Sequence, residues 1–204
     1  MDFSWDDSRR AFDDAAAWFV DTVGLVGDRC DHPGLGEWDV RALVGHTSRS
    51  FLTVETYLDR PATEVEVSSP ADYFRTARAA AAGPAVAARG RDAGTALGPD
   101  PAAAVAEIAA RVVRLVETRD GADLLTTIVG GMRLGDYLPT RTFELAVHTA
   151  DLATAIGEPV DIPVTAAAQA LQVVSDLALL DGHAGPLLLA ATGRAGLPTG
   201  FSVL

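Results

Sequence analysis

The sequence contains few cysteines, few aromatic residues and little positive charge. Its only cysteine, Cys30, excludes an internal disulfide and a zinc cluster built on cysteine ligands. It lies in the polar stretch 28–32, where an incidental loop cysteine is favoured over a nucleophile. Aromatic residues make up 6% of the chain, and 28 acidic against 16 basic residues give a formal charge of -12. Non-specific binding to nucleic acids or anionic membranes needs a basic surface, so this charge argues against both functions.

Long apolar runs are also missing. No stretch of about 20 apolar residues is present, so we expect no membrane-spanning helix. The N-terminus is acidic and lacks the apolar segment of a signal peptide, which makes the cytoplasm the expected compartment. The acidic, alanine-rich composition, in which arginine predominates over lysine, is typical of proteins from high-GC bacteria.

The hydrophobic residues predict an all-α protein. At 204 residues the chain suits one domain, 1–204, and much of its 49% hydrophobic content is alanine, which favours closely packed helices. Apolar residues recur at helical spacing, so the economical architecture is a four-helix bundle with extra helices. The predicted helices cover 8–27, 39–59, a segment from Pro70 divided at Gly83-Pro84, a segment from Pro101 to about 116, 140–157 and 164–180.

Caps and turns refine this prediction. Ser8 and Asp39 are expected N-caps, since short side-chain acceptors suit that position. The segment 124–134 is rich in β-branched residues around Gly130-Gly131, which predicts a short hairpin or irregular excursion over one end of the bundle. In the last helix, the residues expected to face inward are Ala168, Leu171, Val174, Leu177 and Ala178.

The segment 140–157 is the most informative helix. Pro139 and Thr140 mark its expected start, and Gly157 its expected end. At about 100° per residue, Glu144, His148 and Asp151 share one stripe, which lies between two apolar flanks. The face expected to meet solvent carries Thr142, Ala146, Thr149 and Ala153.

Ionisable groups between apolar flanks are normally paired or bound to a metal, because burying an unpaired charge costs several kcal/mol. Glu144 and His148, four residues apart, project the same way and can bind one ion. The alternative is a hydrogen-bonded pair that fills a helix interface. His46, on the helix 39–59, would add a second imidazole, and two imidazoles with one carboxylate leave a coordination position open on zinc or another divalent ion.

These residues carry a family resemblance. Trp38-x7-His46, then Leu134-Gly-Asp-Tyr-Leu138, then Arg141-x-x-Glu144-x3-His148-x-x-Asp151-Leu152 resemble the mycothiol-dependent maleylpyruvate isomerase family. That family belongs to the DinB-like superfamily of metal-binding helix bundles, and the resemblance covers nearly the whole chain. It implies that His46, Glu144 and His148 bind a divalent metal, most often Zn²⁺, with nickel, iron or manganese as alternatives.

The resemblance also implies a chemistry. Members use a low-molecular-weight thiol, mycothiol in actinobacteria, which adds to a small electrophile and gives S-transfer or cis–trans isomerisation. The isomerase itself carries a separate C-terminal domain, whereas this chain resembles the bundle alone. A non-catalytic divalent-metal-binding bundle, structural or regulatory, is the alternative function.

Two further residues are candidates for supporting roles near the ligands. Asp151 could accept a hydrogen bond from a ligand imidazole, and Arg141 could orient Glu144 or meet a substrate carboxylate. Simple helix ion pairs are the alternative for both. Arg49, one turn after His46, is a weaker candidate for the same pocket. A two-fold homodimer is the expected assembly for a small bundle.

Overall fold

The computed structural model describes residues 3–81 and 84–204, and in this part of the chain the fold is mainly helical. The all-α prediction is confirmed, including the short hairpin. Gly83, the predicted dividing residue, lies outside the described residues. The elements are α1 Trp5–Gly24, a 3-10 helix Arg29–Asp31, α2 Val40–Leu58, α3 Pro70–Ala81, α4 Pro84–Ala96, α5 Pro101–Glu117, β1 Leu124–Thr127, β2 Gly130–Arg133, α6 Leu134–Ile156, α7 Val164–Leu180 and α8 Ala184–Ala191.

Helix α1 begins earlier than predicted. Ser4 is its N-cap: the Ser4 hydroxyl accepts a hydrogen bond from the Asp7 amide at 3.1 Å, and the Asp7 carboxylate accepts one from the Ser4 amide at 3.3 Å. This reciprocal capping box satisfies two amides that the helix start leaves free. The prediction of Ser8 as the cap was wrong. Ser8 is buried, and its hydroxyl accepts a hydrogen bond from Gln169 at 3.0 Å.

Helices α1, α2, α5 and α6 surround the main core. In α2 the predicted cap is confirmed, because the Asp39 carboxylate accepts a hydrogen bond from the Ala42 amide at 2.7 Å. Phe51 packs against the rings of Phe12 and Phe19 from α1, at centroid distances of 5.9 and 6.2 Å. The apolar stripes of these two helices therefore meet in the core as their spacing predicts.

Helices α2 and α4 approach each other closely through glycine. A Cβ atom placed on Gly45 would lie 2.0 Å from the amide nitrogen of Gly94, and one placed on Gly94 would lie 2.6 Å from the carbonyl oxygen of Arg41. Both distances are shorter than any real contact. The two backbones therefore touch directly, next to His46.

The turn of the hairpin lies two residues before Gly130-Gly131, the position around which the sequence predicted it. Thr127 pairs with Gly130, so residues 128–129 form the turn and Gly130-Gly131 begin β2. The Gly131 carbonyl accepts hydrogen bonds from the amides of Glu66 and Val67 at 2.8 and 3.1 Å. A Cβ atom on Gly131 would lie 2.1 Å from the carbonyl oxygen of Glu64, so only glycine fits against this loop. The hairpin is thus attached to the connection between α2 and α3.

Helix α6 ends as predicted but starts six residues earlier. Gly157 follows it with φ 76°, the left-handed conformation expected of a glycine cap. Its start at Thr140 was wrong, since Pro139 lies inside the helix. Proline removes one backbone hydrogen bond there. The first turn nevertheless remains helical because it is packed in the core: Leu134, Tyr137 and Leu138 are all fully buried.

The orientation of α6 also differs from the prediction. The face expected to meet solvent is buried throughout, since its small side chains let other helices pack closely. The solvent instead meets the arc that contains Val147 and Thr154, next to the stripe of ionisable residues. The stripe therefore lies at the edge of the bundle. The four residues of the buried small-residue face are Thr142, Ala146, Thr149 and Ala153.

Helix α7 packs against α1 and α6 through Val173, Leu177 and Ala178. Two of the residues predicted to face inward do not: Ala168 is exposed, and Leu171 has 62% of its surface exposed. Gln169 and its neighbours face inward instead. Because α7 is apolar along almost its whole length, helical periodicity does not show which of its faces is buried. In the part of the chain that the structure describes, we find no helix with the length and apolar character to cross a membrane.

Candidate metal centre

Three side chains from α2 and α6 meet at one edge of the bundle. His46 comes from α2, and Glu144 and His148 from consecutive turns of α6. Each offers one ligand atom, and these atoms all lie within 4.8 Å of one another. The two helices pack against each other, and this contact brings together residues that are about a hundred positions apart.

His46 is held between two aromatic groups. The indole of Trp38 packs on its imidazole at a centroid distance of 4.3 Å, and the imidazole of His148 meets it edge-on at 4.9 Å. The Trp38 indole is fixed in turn, because its N–H donates to the carbonyl of Ala87 at 3.0 Å. The Nδ1 atom of His46 is buried and has no hydrogen-bond partner among the described residues.

His148 lies between two carboxylates. Its Nε2 atom is 3.3 Å from Oε2 of Glu144, and its Nδ1 atom is 3.1 Å from Oδ2 of Asp151. In the metal-free protein both nitrogens can donate, Nδ1–H to Asp151 and Nε2–H to Glu144, and loss of the Nε2 proton would leave a lone pair on the nitrogen that faces Glu144. This arrangement is the one that metal-binding histidines usually have, since a carboxylate on the far nitrogen sets the tautomer.

The ionisation of the three groups differs sharply. Burial lowers the pKa of His46 to about 4, with the charge of His148 acting in the same direction. Burial also opposes the charge on His148, but hydrogen bonds to Asp151 and Glu144 raise its pKa to about 9. Burial disfavours the Glu144 carboxylate too, yet the hydrogen bond from His148 and the charge of Arg141 lower its pKa to about 2. At neutral pH the cluster therefore has one anionic carboxylate, one neutral imidazole and one imidazolium.

The donor set fits a divalent metal. A buried imidazole nitrogen without a partner is costly, and coordination to a metal ion is one way in which proteins satisfy such a nitrogen. Two imidazoles and a carboxylate suit Zn²⁺ and other first-row divalent ions. The side chains of Glu144 and His148 are 21% and 17% exposed, so the cluster is open to solvent on one side. The geometry therefore agrees with the predicted ligand set, whose role as ligands stays a prediction.

Arg141 lies one turn before Glu144 but does not form an ion pair with it. Its guanidinium is over the rings of Tyr73 and Tyr137, at 5.3 and 5.0 Å from their centroids, and its Nε–H donates to the hydroxyl of Thr140 at 2.9 Å. Among the described residues, no carboxylate oxygen is within 4.0 Å of it. Its charge still acts on Glu144 across this distance. Arg141 therefore affects the charge state of Glu144 without contacting it, and its role in orienting Glu144 stays a prediction.

Several residues around the cluster were not assigned a role from the sequence. Trp38 was part of the family motif without an assigned role. It stacks on His46 because the chain turns back between the 3-10 helix and α2, and the motif does not predict this turn. Tyr73 comes from α3, a helix with no predicted connection to the site. Arg49, the weaker candidate, is half-buried in α2, and its positive charge contributes to the lowered pKa of His46.

Two surface clefts lie elsewhere on the molecule. One, of about 380 Å³, is lined by residues of α1 and α5, including Arg9, Arg10 and Glu117. The other, of about 420 Å³, lies next to Cys30 and Arg41. Neither includes a member of the ionisable cluster. We place the candidate site at the cluster because the ligand atoms of its three residues lie within 4.8 Å of one another and the pKa of each residue is strongly shifted.

Comparison with known protein families decides the relationship. The family described as the mycothiol maleylpyruvate isomerase N-terminal domain matches residues 5–153, which include all three residues of the cluster. The chain belongs to this family. No curated protein and no solved structure matches the chain significantly. Membership confirms the resemblance seen in the sequence and suggests a mycothiol-related, metal-binding function.

Proposed function

We propose that this protein is a metal-dependent enzyme that adds a low-molecular-weight thiol of the mycothiol type to a small electrophile. The observation that carries the proposal is the convergence of His46, Glu144 and His148 within 4.8 Å, in a chain of the mycothiol maleylpyruvate isomerase N-terminal family. These three residues would hold the metal. Zn²⁺ is the first candidate, and nickel, iron and manganese also suit the donor set.

The number of donors favours catalysis over a structural role. Structural zinc sites are closed by four protein ligands, whereas catalytic sites use three and keep a position open. Among the described residues, three donors form the cluster, and it reaches solvent on one side. When bound, a divalent cation would stabilise the thiolate form of a thiol at neutral pH.

The surrounding residues keep the donors ready for binding. Asp151 holds the proton on Nδ1 of His148, so the proton that leaves when a metal binds comes from Nε2. Trp38 restricts the ring of His46 by stacking, and the hydrogen bond to Ala87 fixes the indole in turn. Glu144 is ionised at neutral pH because its pKa is about 2. The cluster therefore needs little rearrangement to bind a cation.

The proposed reaction is conjugate addition. The thiol loses its S–H proton to solvent, the sulfur forms a bond to the electrophilic carbon, and the π electrons of the carbon–carbon double bond move onto the conjugated carbonyl group. Protonation of the resulting carbanion by solvent gives an S-conjugate. Alternatively, the unprotonated carbanion rotates about the former double bond and expels the thiolate, which re-forms the double bond as the cis–trans isomer. Both outcomes use the same first step.

Metal analysis tests the ligand assignment. We expect the purified protein to contain about one divalent ion per chain, and the variants His46→Ala, Glu144→Gln and His148→Ala to lose most of it. His32→Ala is the matched control, because His32 is exposed and is not a member of the cluster. Unchanged metal content in all three cluster variants would show instead that these side chains form a hydrogen-bonded polar group without a metal.

A spectroscopic experiment separates the enzyme from a non-catalytic metal-binding bundle. The protein is loaded with Co²⁺, and a small thiol is added while the thiolate-to-cobalt absorption is recorded. We expect a new band in the wild-type protein, followed by consumption of the thiol when an α,β-unsaturated acid is supplied. A spectrum that does not respond to the thiol would support a structural or regulatory ion and contradict the enzyme.

A further inference from the structure

All three tyrosines of the chain lie around one arginine. The ring of Tyr137 packs against Tyr57 and Tyr73 at centroid distances of 5.5 and 5.7 Å, and Arg141 lies over Tyr73 and Tyr137. These residues come from α2, α3 and α6, so three separate helices form the group. We call Arg141, Tyr57, Tyr73 and Tyr137 the tyrosine cage.

The guanidinium in the tyrosine cage is buried and has unused donors. Arg141 is 8% exposed and remains charged, since the neighbouring tyrosines and Glu144 raise its pKa against the effect of burial. A guanidinium has five N–H groups, and here only the Nε–H has a partner among the described residues, the hydroxyl of Thr140. Cation–π contacts stabilise its faces but leave the in-plane Nη donors free. A buried cation without an anionic partner is unusual.

Two phenol groups beside the guanidinium are also free. The hydroxyl of Tyr137 donates to Thr53 at 2.9 Å, but those of Tyr57 and Tyr73 have no hydrogen-bond partner in the described ranges. These two hydroxyls and the Nη atoms of Arg141 have no partner within the described residues, yet they are not fully buried, so solvent reaches them. Burial raises the pKa of Tyr57, so its hydroxyl keeps its proton at neutral pH and can donate.

The cage lies beside the cluster of His46, Glu144 and His148. Arg141 is three residues before Glu144, and side chains at that spacing are neighbours on a helix surface, about 5–6 Å apart at Cβ. The positive charge of Arg141 lowers the pKa of both Glu144 and His46, which agrees with this spacing. An anion bound in the cage would therefore lie next to the metal.

We propose that Arg141, with the hydroxyls of Tyr57 and Tyr73, forms a carboxylate-binding site that positions a small acidic ligand beside the metal cluster. The planar fork of a guanidinium matches a carboxylate in a two-point contact. A single cation in a buried place is matched by one negative charge, whereas a phosphate would bring about -1.5 to -2. The proposal rests on the proposed function for the identity of the ligand, since the carboxylate belongs either to the electrophile or to the thiol.

Direct binding measurements test the site without any need for turnover. Succinate serves as an unreactive mimic of an acidic electrophile, and succinamide as its uncharged counterpart. N-acetylcysteine and its amide form the corresponding pair for the thiol. Dissociation constants are measured by calorimetry on the protein as purified, with its metal, and on the variants Tyr57→Phe, Tyr73→Phe and Arg141→Gln.

Each tyrosine variant should weaken the binding of either succinate or N-acetylcysteine by about 10-fold or more, since a hydrogen bond to a charged group is lost. The amides should be unaffected. These variants keep the ring and remove a hydroxyl that has no partner in the described ranges, so the fold is retained even if Arg141→Gln does not fold. Arg114→Gln, which removes an exposed arginine, is the control for charge.

The pattern of losses identifies the ligand. Weaker succinate binding with unchanged N-acetylcysteine binding assigns the carboxylate to the electrophile, and the reverse assigns it to the thiol. Unchanged dissociation constants for both carboxylates in both tyrosine variants would overturn the site, because a carboxylate bound only to the metal does not depend on these hydroxyls. Binding that depends on the tyrosines while Co²⁺ shows no response to thiol would retain the site and reject the enzyme.

Discussion

The Nδ1 atom of His148 lies 3.1 Å from a carboxylate oxygen of Asp151, one turn further along the same helix. This contact keeps a proton on Nδ1 and leaves Nε2 as the nitrogen that faces Glu144. Asp151 is itself 31% exposed at its side chain and has no described role in the core. Its sequence position alone predicted the contact, since residues three apart on a helix face the same way.

We expect Asp151→Ala to weaken metal binding by roughly 10- to 100-fold, because the imidazole loses the partner that orients it and increases its basicity. The fold should be unaffected, since the side chain is partly exposed. The dissociation constant is measured by competition with a chromophoric chelator. Asp161→Ala removes an exposed carboxylate outside the site and is the control for net charge. Equal affinities in the two variants would show that Asp151 does not support His148.

Metal affinity should rise with pH. In the metal-free protein the pKa of His148 is about 9, so a proton must leave this imidazole when a metal binds at neutral pH, whereas His46, with a pKa of about 4, has none to lose. One displaced proton gives an affinity that increases about tenfold per pH unit between about pH 6.5 and 8.5. The measurement is the chelator competition at several pH values. An affinity that is flat over this range would contradict the assignment.

The same proton affects the stability of the metal-free protein in the opposite direction. The folded-state pKa of His148 is above its ordinary value of 6.5, so the stabilisation is fully present below about pH 6.5 and is lost as the pH rises through about 9. Chemical unfolding of the metal-free protein at a series of pH values measures this loss. Asp151→Ala should reduce it, because one of the hydrogen bonds that raise the pKa is missing.

The sequence predicted the parts of the fold that depend on local rules. The Asp39 cap and the Gly157 stop follow from the chemistry of helix ends. The buried faces of α1 and α2 follow from apolar residues that recur at helical spacing. The meeting of His46 with the pair on α6 followed from helix spacing together with the family motif. Spacing alone gave only the Glu144–His148 half of the cluster.

The parts that were wrong depend on which neighbour each face meets. The small-residue face of α6, containing Thr142 and Ala146, is equally suited to solvent and to close packing, and only the positions of the other helices decide between them. Pro139 normally marks a helix start, but the burial of Leu134 and Tyr137 outweighs its lost hydrogen bond. The tyrosine cage joins three helices, and no local pattern connects its members.

The stacking of Trp38 on His46 predicts an effect of a distant glycine. A Cβ atom on Gly90 would lie 2.6 Å from the Trp38 indole, so Gly90→Ala should displace the ring, weaken its hydrogen bond to Ala87 and loosen His46. We expect a loss of about 1–3 kcal/mol in stability from overpacking, together with weaker metal binding. Chemical unfolding and the chelator competition measure the two effects.

A double variant isolates the mechanism. Trp38→Phe makes room for the added methyl group, so the cost of Gly90→Ala should be smaller in the Trp38→Phe background than in the wild type. The comparison is a double-mutant cycle on unfolding free energies. If the two changes are simply additive, the indole is not the group that the new methyl meets, and the link between Gly90 and His46 fails.

The direct contact of α2 and α4 gives the largest expected effect on stability. A Cβ atom on Gly45 would meet the Gly94 amide at 2.0 Å, and backbone atoms cannot rotate away as a side chain can. The two helices must therefore separate, and we expect Gly45→Ala to cost about 2 kcal/mol or more, a decrease of roughly 4–8 °C in Tm for a chain of this size. Because His46 is the next residue, metal binding should weaken as well.

Gly24→Ala is the matched control for Gly45→Ala. Gly24 is the last residue of α1, and a Cβ atom there has nothing within 4 Å. Alanine is favoured over glycine in a helix by roughly 0.5–1 kcal/mol, so this variant should be neutral or slightly more stable than the wild type. Thermal unfolding of both variants, followed by circular dichroism, checks the pair. Equal Tm values for the two would mean that α2 and α4 are not in backbone contact in solution.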